Sequence, residues 1–221
     1  MFTNHLTNFI YSDTFANNLT FAIEIMGTLA FALAGIVVAA RKRLDIVGVS
    51  MVCGLSAFGG GTLRDILLDR RPFFWVEHHQ WLWVILALCI AAMLFLRKKH
   101  IELTEKSIQI PDALGLAMFT ISGTQITLAS GSPLLVSVLM GVMTAIFGGV
   151  LRDIACNEIP QAFSDHRPYA VIAFAGSWIY LAIEHFSNND WLASIFAFLV
   201  IVTLRMLAIK FDWTIPSWAS K

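Results

Sequence analysis

Two short segments of this chain place an arginine and an aspartate three and four residues after a run of glycines, inside otherwise apolar sequence. They read FGGGTLRD at 58–65 and FGGVLRD at 147–153. Consecutive glycines weaken a helix, by about 1 kcal/mol per glycine relative to alanine, and the carbonyl oxygens of a weakened helix suit monovalent cations. Ionisable side chains within apolar spans usually face a protein interior or a water-filled cavity. The two segments therefore predict a wet path for small ions.

The composition predicts an all-α integral membrane protein. Of the 221 residues, 57% are hydrophobic and 14% are charged, whereas about a quarter of the residues in an average soluble domain are charged. The formal net charge is zero, so no overall attraction to nucleic acid is predicted. The sequence contains no recognisable nucleophile–base set, metal-ligand motif or phosphate loop, so we expect no enzyme, no cofactor and no metal beyond transient K⁺.

Hydropathy, with proline, asparagine and charge as punctuation, predicts seven transmembrane helices. Their expected ranges are 19–40, 45–68, 79–96, 110–129, 133–156, 168–185 and 190–208. Ten basic residues fall in the connections on one side of the membrane, and only Arg70 and Arg71 fall on the other. The ten are Arg41, Lys42, Arg43, Arg97, Lys98, Lys99, Lys106, Arg167, Lys210 and Lys221. The positive-inside rule therefore predicts a multi-pass protein of the cell (inner) membrane, with its N-terminus outside and its C-terminus in the cytoplasm.

The sequence also aligns with itself, without a gap, at an offset of 88 residues. The matching pairs include Gly27 with Gly115, Gly60 with Gly148, Gly61 with Gly149, Arg64 with Arg152 and Asp65 with Asp153. Each copy contains three spans, an odd number, so the second copy must enter the membrane upside down relative to the first. We expect a first repeat over 1–100, an inverted second repeat over 101–188, and a seventh helix with a cytoplasmic tail over 189–221.

The glycines allow two interpretations. In the first, helices 2 and 5 are broken at the glycines, and the freed carbonyls line a pore. In the second, the glycines only permit close crossing of two helices. The residues assigned to the break are Gly59, Gly60, Gly61, Gly148 and Gly149. The hydroxyl groups expected to assist are those of Ser56, Thr144 and Thr62.

The depth of the charged residues predicts two ion pairs. Glu24 lies near the outer end of helix 1, and helix 2 brings Arg64 toward the same face. By the repeat, Asp112 and Arg152 share the inner face. We expect one pair at each mouth of the path, where a freed arginine could repel cations and act as a gate; a packing clamp that never meets the ion is the alternative. Neighbouring residues on a helix point apart, so Asp65 and Asp153 are expected to find partners on other helices.

With these motifs the sequence resembles the trimeric intracellular cation channel family over nearly the whole chain. The resembling segments are those at 58–65 and 147–153, in which Phe147 stands where the first copy has Gly59. The resemblance implies a homotrimer in membrane lipid, with a potassium-permeable pore inside each protomer, lined by the kinked helices 2 and 5. Bacterial proteins with the same duplicated unit are described as glycine transporters. We therefore expect a monovalent cation channel, with a secondary transporter for glycine or another small amino acid as the alternative.

Overall fold

The computed structural model describes residues 2–95, 108–164 and 168–214, of which residues 2–17 and 164 are described by their backbone alone. These residues form nine helices and no strand. The helices are α1 (Phe2–Arg41), α2 (Ile46–Leu67), α3 (Phe74–Glu77), α4 (Gln80–Phe95), α5 (Gln109–Ala129), α6 (Leu134–Ala155), α7 (Gln161–Ser164), α8 (Ala170–Ser187) and α9 (Asp190–Lys210). The short helices α3 and α7 lie in connections where the sequence predicted no helix.

Five helical segments are long and apolar enough to cross a membrane, which makes the chain an all-helical, multi-pass membrane protein. They are Asn18–Arg41 of α1, together with α2, α6, α8 and α9. The α4 helix is apolar but has 16 described residues. The α5 helix has 21 residues, but several of them are polar and buried inside the bundle. The predicted count of seven spans therefore stays a prediction.

The predicted orientation in the membrane also stays a prediction. Several of the basic residues on which it depends lie outside the described part of the chain: Arg97, Lys98, Lys99, Lys106, Arg167 and Lys221. The repeat boundaries at 100 and 188 are likewise expectations from the sequence.

Four long helices form the centre of the bundle. The α1 helix packs against α2 and α5, and α6 packs against the same two helices. The α4 helix lies against α2, while α8 lies against α6 and α9, which in turn packs on α5. The polar α5 helix tolerates this burial because hydroxyls such as those of Thr120 and Thr127 donate to carbonyl oxygens one turn earlier, at 2.7 Å.

Contacts between α1 and α5 repeat at the 88-residue offset. A Cβ atom on Gly27 would lie 3.0 Å from the Cβ of Met118 and 3.4 Å from the ring of Phe119, whereas a Cβ on Gly115 would lie 2.7 Å from the ring of Phe31. The rings of Phe31 and Phe119, which are equivalent positions, stack with their centroids 5.4 Å apart. A later residue of α1 meets an earlier residue of α5, so the two helices run antiparallel, as expected for inverted copies.

The same reciprocity places the backbones of α2 and α6 in direct contact. A Cβ atom on Gly60 would collide with the carbonyl oxygen of Thr144, and a Cβ on Gly148 would collide with the carbonyl oxygen of Ser56. The two contacts are equivalent, because Ser56 and Thr144, like Gly60 and Gly148, match at the 88-residue offset. The missing side chains allow the two helices to cross at backbone distance.

The prediction that these helices are broken at the glycines is wrong. The α2 helix continues without interruption through Gly59, Gly60 and Gly61, and the α6 helix continues through Gly148 and Gly149. In the bundle each helix gains close packing from the absent Cβ atoms, and the helix hydrogen bonds are kept because a freed carbonyl inside a bilayer is costly. The interpretation as a close crossing is therefore the one that the structure supports.

We predict that Gly60→Ala and Gly148→Ala each lower the free energy of unfolding by about 1–3 kcal/mol, because the added methyl group forces backbone apart from backbone. Gly54→Ala on the same α2 helix is the matched control, since no neighbouring atom lies within 4 Å of a Cβ there. That variant should keep or slightly raise stability through its better helix propensity. Thermal unfolding in detergent measures all three. Equal melting temperatures for Gly60→Ala and Gly54→Ala would contradict the close crossing.

Candidate permeation site

The first charged cluster joins α1 to the last turn of α2. The Nη1 atom of Arg64 lies 2.6 Å from Oε1 of Glu24, and the Nη2 atom lies 2.7 Å from Oδ1 of Asp65. Nε of Arg64 also donates to Oδ1 of Asp65, at 2.9 Å. All three side chains are buried, with Arg64 only 1% exposed. Arg70, which is about half exposed, adds a second positive charge 3.7 Å from Asp65.

The second charged cluster repeats this arrangement between α5 and the last turn of α6. Nη1 of Arg152 lies 3.0 Å from Oδ1 of Asp112, and Nε donates to Oδ1 of Asp153 at 2.8 Å. The other carboxylate oxygen of Asp153 accepts a hydrogen bond from the backbone N–H of Gln161, at 2.9 Å. The second cluster is buried like the first.

The structure thus brings together Glu24 with Arg64 and Asp112 with Arg152, the two pairs expected from the sequence. It corrects one detail, because Arg64 and Arg152 also bind the aspartates that follow them in sequence. The guanidinium group reaches its neighbour because it carries five donors in a fork that can serve two carboxylates at once. Each arginine therefore bridges its own helix to the helix of the preceding span.

Two of the predicted glycines lie next to these arginines. A Cβ atom on Gly61 would have Nη2 of Arg64 as its nearest neighbour, at 3.9 Å. A Cβ on Gly149, the equivalent position, would lie 3.5 Å from Nη2 of Arg152. Both distances are ordinary van der Waals contacts, so Gly61 and Gly149 are not required for space. A Cβ on Gly59, in contrast, would collide with the side chain of Leu151.

A cavity of about 550 Å³ opens beside the first cluster; we call it the vestibule. Polar and charged residues from α1, α5 and the connection after α2 line it, together with aromatic residues of α1 and α3. The lining comprises Thr20, Phe21, Glu24, Leu68, Arg70, Phe74, Glu77, His78, Gln125, Ile126, Ala129 and Ser130. The ring of His78 packs against those of Phe21 and Phe74, at centroid distances of 4.7 and 5.0 Å. Glu24 therefore connects the buried arginine to an open, wettable space.

A second, much smaller space shares Glu24 and Phe74 with the vestibule wall. This pocket of about 10 Å³, comparable to one water molecule, is also lined by Gly61, Thr62 and Asp65, and Phe119 forms part of its wall. Phe119 is the ring that stacks on Phe31. The small pocket therefore borders the aromatic pair.

The three predicted hydroxyl groups differ in their roles. The Ser56 hydroxyl donates to the carbonyl oxygen of Phe31 at 2.9 Å, and the Thr144 hydroxyl donates to that of Met140 at 2.7 Å. Both are buried in helix contacts. Thr62 lines the narrow pocket and accepts a hydrogen bond from the Trp75 indole N–H at 3.2 Å.

Sequence reasoning missed Gln125, which lies on α5 in the vestibule wall. Its amide oxygen is 3.3 Å from the Thr20 hydroxyl, and its Nε2 donates to the Ser194 hydroxyl at 3.2 Å. Gln125 therefore ties α1 and α9 to α5 at the edge of the cavity. Its signal in the sequence is weak, because the equivalent position in the first repeat is the apolar Val37.

Comparison with known proteins places this architecture in a family. The model of a family described as glycine transporter matches residues 21–98 and 109–185, two segments that begin at the offset of the internal repeat. The chain is 33% identical over 205 residues to a UPF0126 membrane protein of Vibrio cholerae, with 91% of this chain and 84% of the relative covered. It is 31% identical over 202 residues to the UPF0126 inner membrane protein YadS of Escherichia coli, with 91% and 97% covered.

The chain is also similar to solved structures of cation channels. A structure described as the basis for conductance through TRIC cation channels has a TM-score of 0.78 and 30% identity, and covers 90% of this chain and 97% of its own. The TRIC trimeric intracellular cation channel orthologue from Rhodobacter sphaeroides has a TM-score of 0.80 and 28% identity, with 88% and 99% covered. The chain therefore belongs to the membrane-protein family described as glycine transporter, and it is a relative of the trimeric intracellular cation channels, as the motifs of its sequence indicate.

Proposed function

We propose that the protein is a monovalent cation channel, selective for potassium, with one pore inside each protomer of a homotrimer. The observation that carries this proposal is the likeness of nearly the whole chain to solved TRIC cation channels, in sequence as well as in fold. The vestibule supports it, because the carboxylates of Glu24 and Glu77 lie in its wall, and acidic groups that line a cavity attract cations. The name trimeric in the related structures supports a homotrimer held in membrane lipid.

In this proposal the pore begins at the vestibule and passes Glu24. It continues beside the helix crossing, along the face of α2 that carries Gly61 and Thr62. The stacked rings of Phe31 and Phe119 form the narrowest part, since apolar constrictions close pores by excluding water. On the far side the path passes Asp112, the equivalent of Glu24. Gly59, Gly60, Gly148, Ser56 and Thr144 shape this route through the crossing, in place of the freed carbonyls.

The arginines are proposed to control the two mouths. In each cluster one guanidinium faces two carboxylates, so its charge is balanced where a cation passes. A movement that separates Arg64 from Glu24, or Arg152 from Asp112, would leave positive charge at the mouth and repel cations. The orientation proposed from the basic residues places the vestibule outside the cell and the Asp112 cluster toward the cytoplasm.

We predict discrete unitary currents from the purified protein in planar bilayers, reversing near the potassium equilibrium potential under a KCl gradient. Uptake of radiolabelled glycine into liposomes holding the same preparation is measured in parallel, with empty liposomes as the control. A channel gives currents with no saturable glycine flux. Saturable uptake that unlabelled glycine competes, without unitary currents, would overturn the proposal in favour of a carrier.

We predict that Arg64→Gln and Arg152→Gln each lower the free energy of unfolding by about 3–5 kcal/mol, because each removes the cation from a buried group of carboxylates. Arg70→Gln is the matched control. It removes an arginine from the same Asp65, but that side chain is 46% exposed and 3.7 Å away, so a loss of at most about 1 kcal/mol is expected. Thermal unfolding in detergent measures the three variants. An Arg64→Gln variant as stable as Arg70→Gln would contradict the stabilising role of the buried ion pairs around Arg64.

We predict that Arg64→Lys and Arg152→Lys, which keep the charge, change the open probability of the channel. Lysine presents a point charge and cannot hold two carboxylates with a planar fork. The contact between the two helices at each mouth is therefore weaker. Single-channel recording of variants that elute as monodisperse protein measures the effect, with Arg70→Lys as the control. Wild-type gating in both variants would remove the arginines from the gating mechanism.

A further inference from the structure

The two mouths of the bundle are built from equivalent positions but carry different residues. At the 88-residue offset, the polar vestibule residues Thr20 and Gln125 correspond to Ile108 and Val37. Leu68 and Ile126 correspond to Cys156 and Val38, while Ser130 and Arg70 correspond to Lys42 and Glu158. The positions of the polar Thr20 and Gln125 are thus occupied by apolar residues at the other mouth. The positions of Ser130 and Arg70 are occupied there by two residues of opposite charge.

The mouth opposite the vestibule is filled by apolar side chains. Val38, Ile108 and Cys156 are buried, with exposures of 3%, 2% and 9%, and belong to one apolar cluster. Ile108 and Cys156 lie one helical turn from Asp112 and Arg152, as the backbone hydrogen bonds show. We call these three residues the apolar plug.

An ion pair closes the same end of the bundle. Nζ of Lys42 lies 2.7 Å from Oε1 of Glu158, and the two side chains are 36% and 38% exposed. Lys42 follows the end of α1, and Glu158 lies between α6 and α7, so the pair joins the first repeat to the second. At the vestibule the equivalent residues, Ser130 and Arg70, stand in the wall of an open cavity.

We propose that the ion pair between Lys42 and Glu158, together with the apolar plug, is the gate of the mouth opposite the vestibule, closed in this conformation. The inference rests on the proposed function. An ion pair with both partners more than a third exposed contributes little to stability, so thermal motion can break it. When it breaks, the two repeats are free to separate at this end, and the plug is exposed to water next to the Asp112 cluster.

Charge reversal tests the gate. Lys42→Glu sets two carboxylates against each other and Glu158→Lys sets two ammonium groups against each other, so each single variant should raise the open probability about fivefold. The double variant restores an opposite pair and should return to the wild-type value. Lys210→Glu is the matched control, because it makes the same change in net charge on α9, outside the repeats. Single variants that gate like wild type, or a double variant that stays open, would overturn the gate.

A second measurement reads the same gate without any current. The rate at which a membrane-impermeant maleimide labels Cys156 should rise about fivefold in Lys42→Glu and return to the wild-type rate in the double variant. Cys156→Ser identifies the labelled site against Cys53 and Cys89, and Lys210→Glu should label at the wild-type rate. Faster labelling without unitary currents would keep the gate and reject the channel. Currents with unchanged labelling and gating would keep the channel and reject the gate.

Discussion

The structure depends on the backbone contact between α2 and α6 at Gly60 and Gly148. Each glycine receives a carbonyl group of the other helix, which brings the middle of the two repeats closer than any side chain would permit. Bilayer lipid is as apolar as leucine, so burial of apolar surface does little to hold helices together in a membrane, and close packing must do so. This contact fixes the distance between the two charged clusters and between the helices that carry them.

Around that crossing, the buried arginines decide how the spans pair. A buried ion pair gains little over apolar packing, but removing one partner is costly. Glu24 therefore favours α2 beside α1, and Asp112 favours α6 beside α5, because Arg64 and Arg152 lie against these carboxylates and balance their charge. Gly61 and Gly149 lie next to the guanidinium groups. Sequence segments of eight and seven residues thus carry both the crossing and the buried charge.

Much of this could be predicted from the sequence, because the 88-residue repeat restricts which residues can meet. Charges are rare in apolar spans and must find partners, so the positions of Glu24, Arg64, Asp112 and Arg152 along their helices predict both pairs. The glycines were harder to interpret. A helix break and a close crossing need the same residue type, and only the carbonyls of Ser56 and Thr144 beside Gly148 and Gly60 decide between them.

The vestibule and the predicted bonding of Asp65 and Asp153 show a second limit. The cavity depends on residues from α1, α3 and α5 and on the connection after α2, and no spacing in the sequence relates these to each other. Arg64 and Arg152 fold back onto the following aspartates, which helix geometry alone does not predict, since adjacent residues point apart. A long side chain with several donors can override that rule when a carboxylate on its own helix lies within reach.

The differences between the two copies bear most directly on mechanism. Two identical inverted copies would give two equivalent mouths, open or closed together. Here the crossing, the arginine clusters and the stacked phenylalanines follow the repeat, whereas the rims depart from it, with Gln125 and Thr20 at one end and Val37 and Ile108 at the other. The rims also join the two repeats, since Thr20 bonds to Gln125 at one end and Lys42 to Glu158 at the other. The residues that follow the repeat therefore build the shared scaffold, and in the proposed channel the rims give its two ends different chemistry.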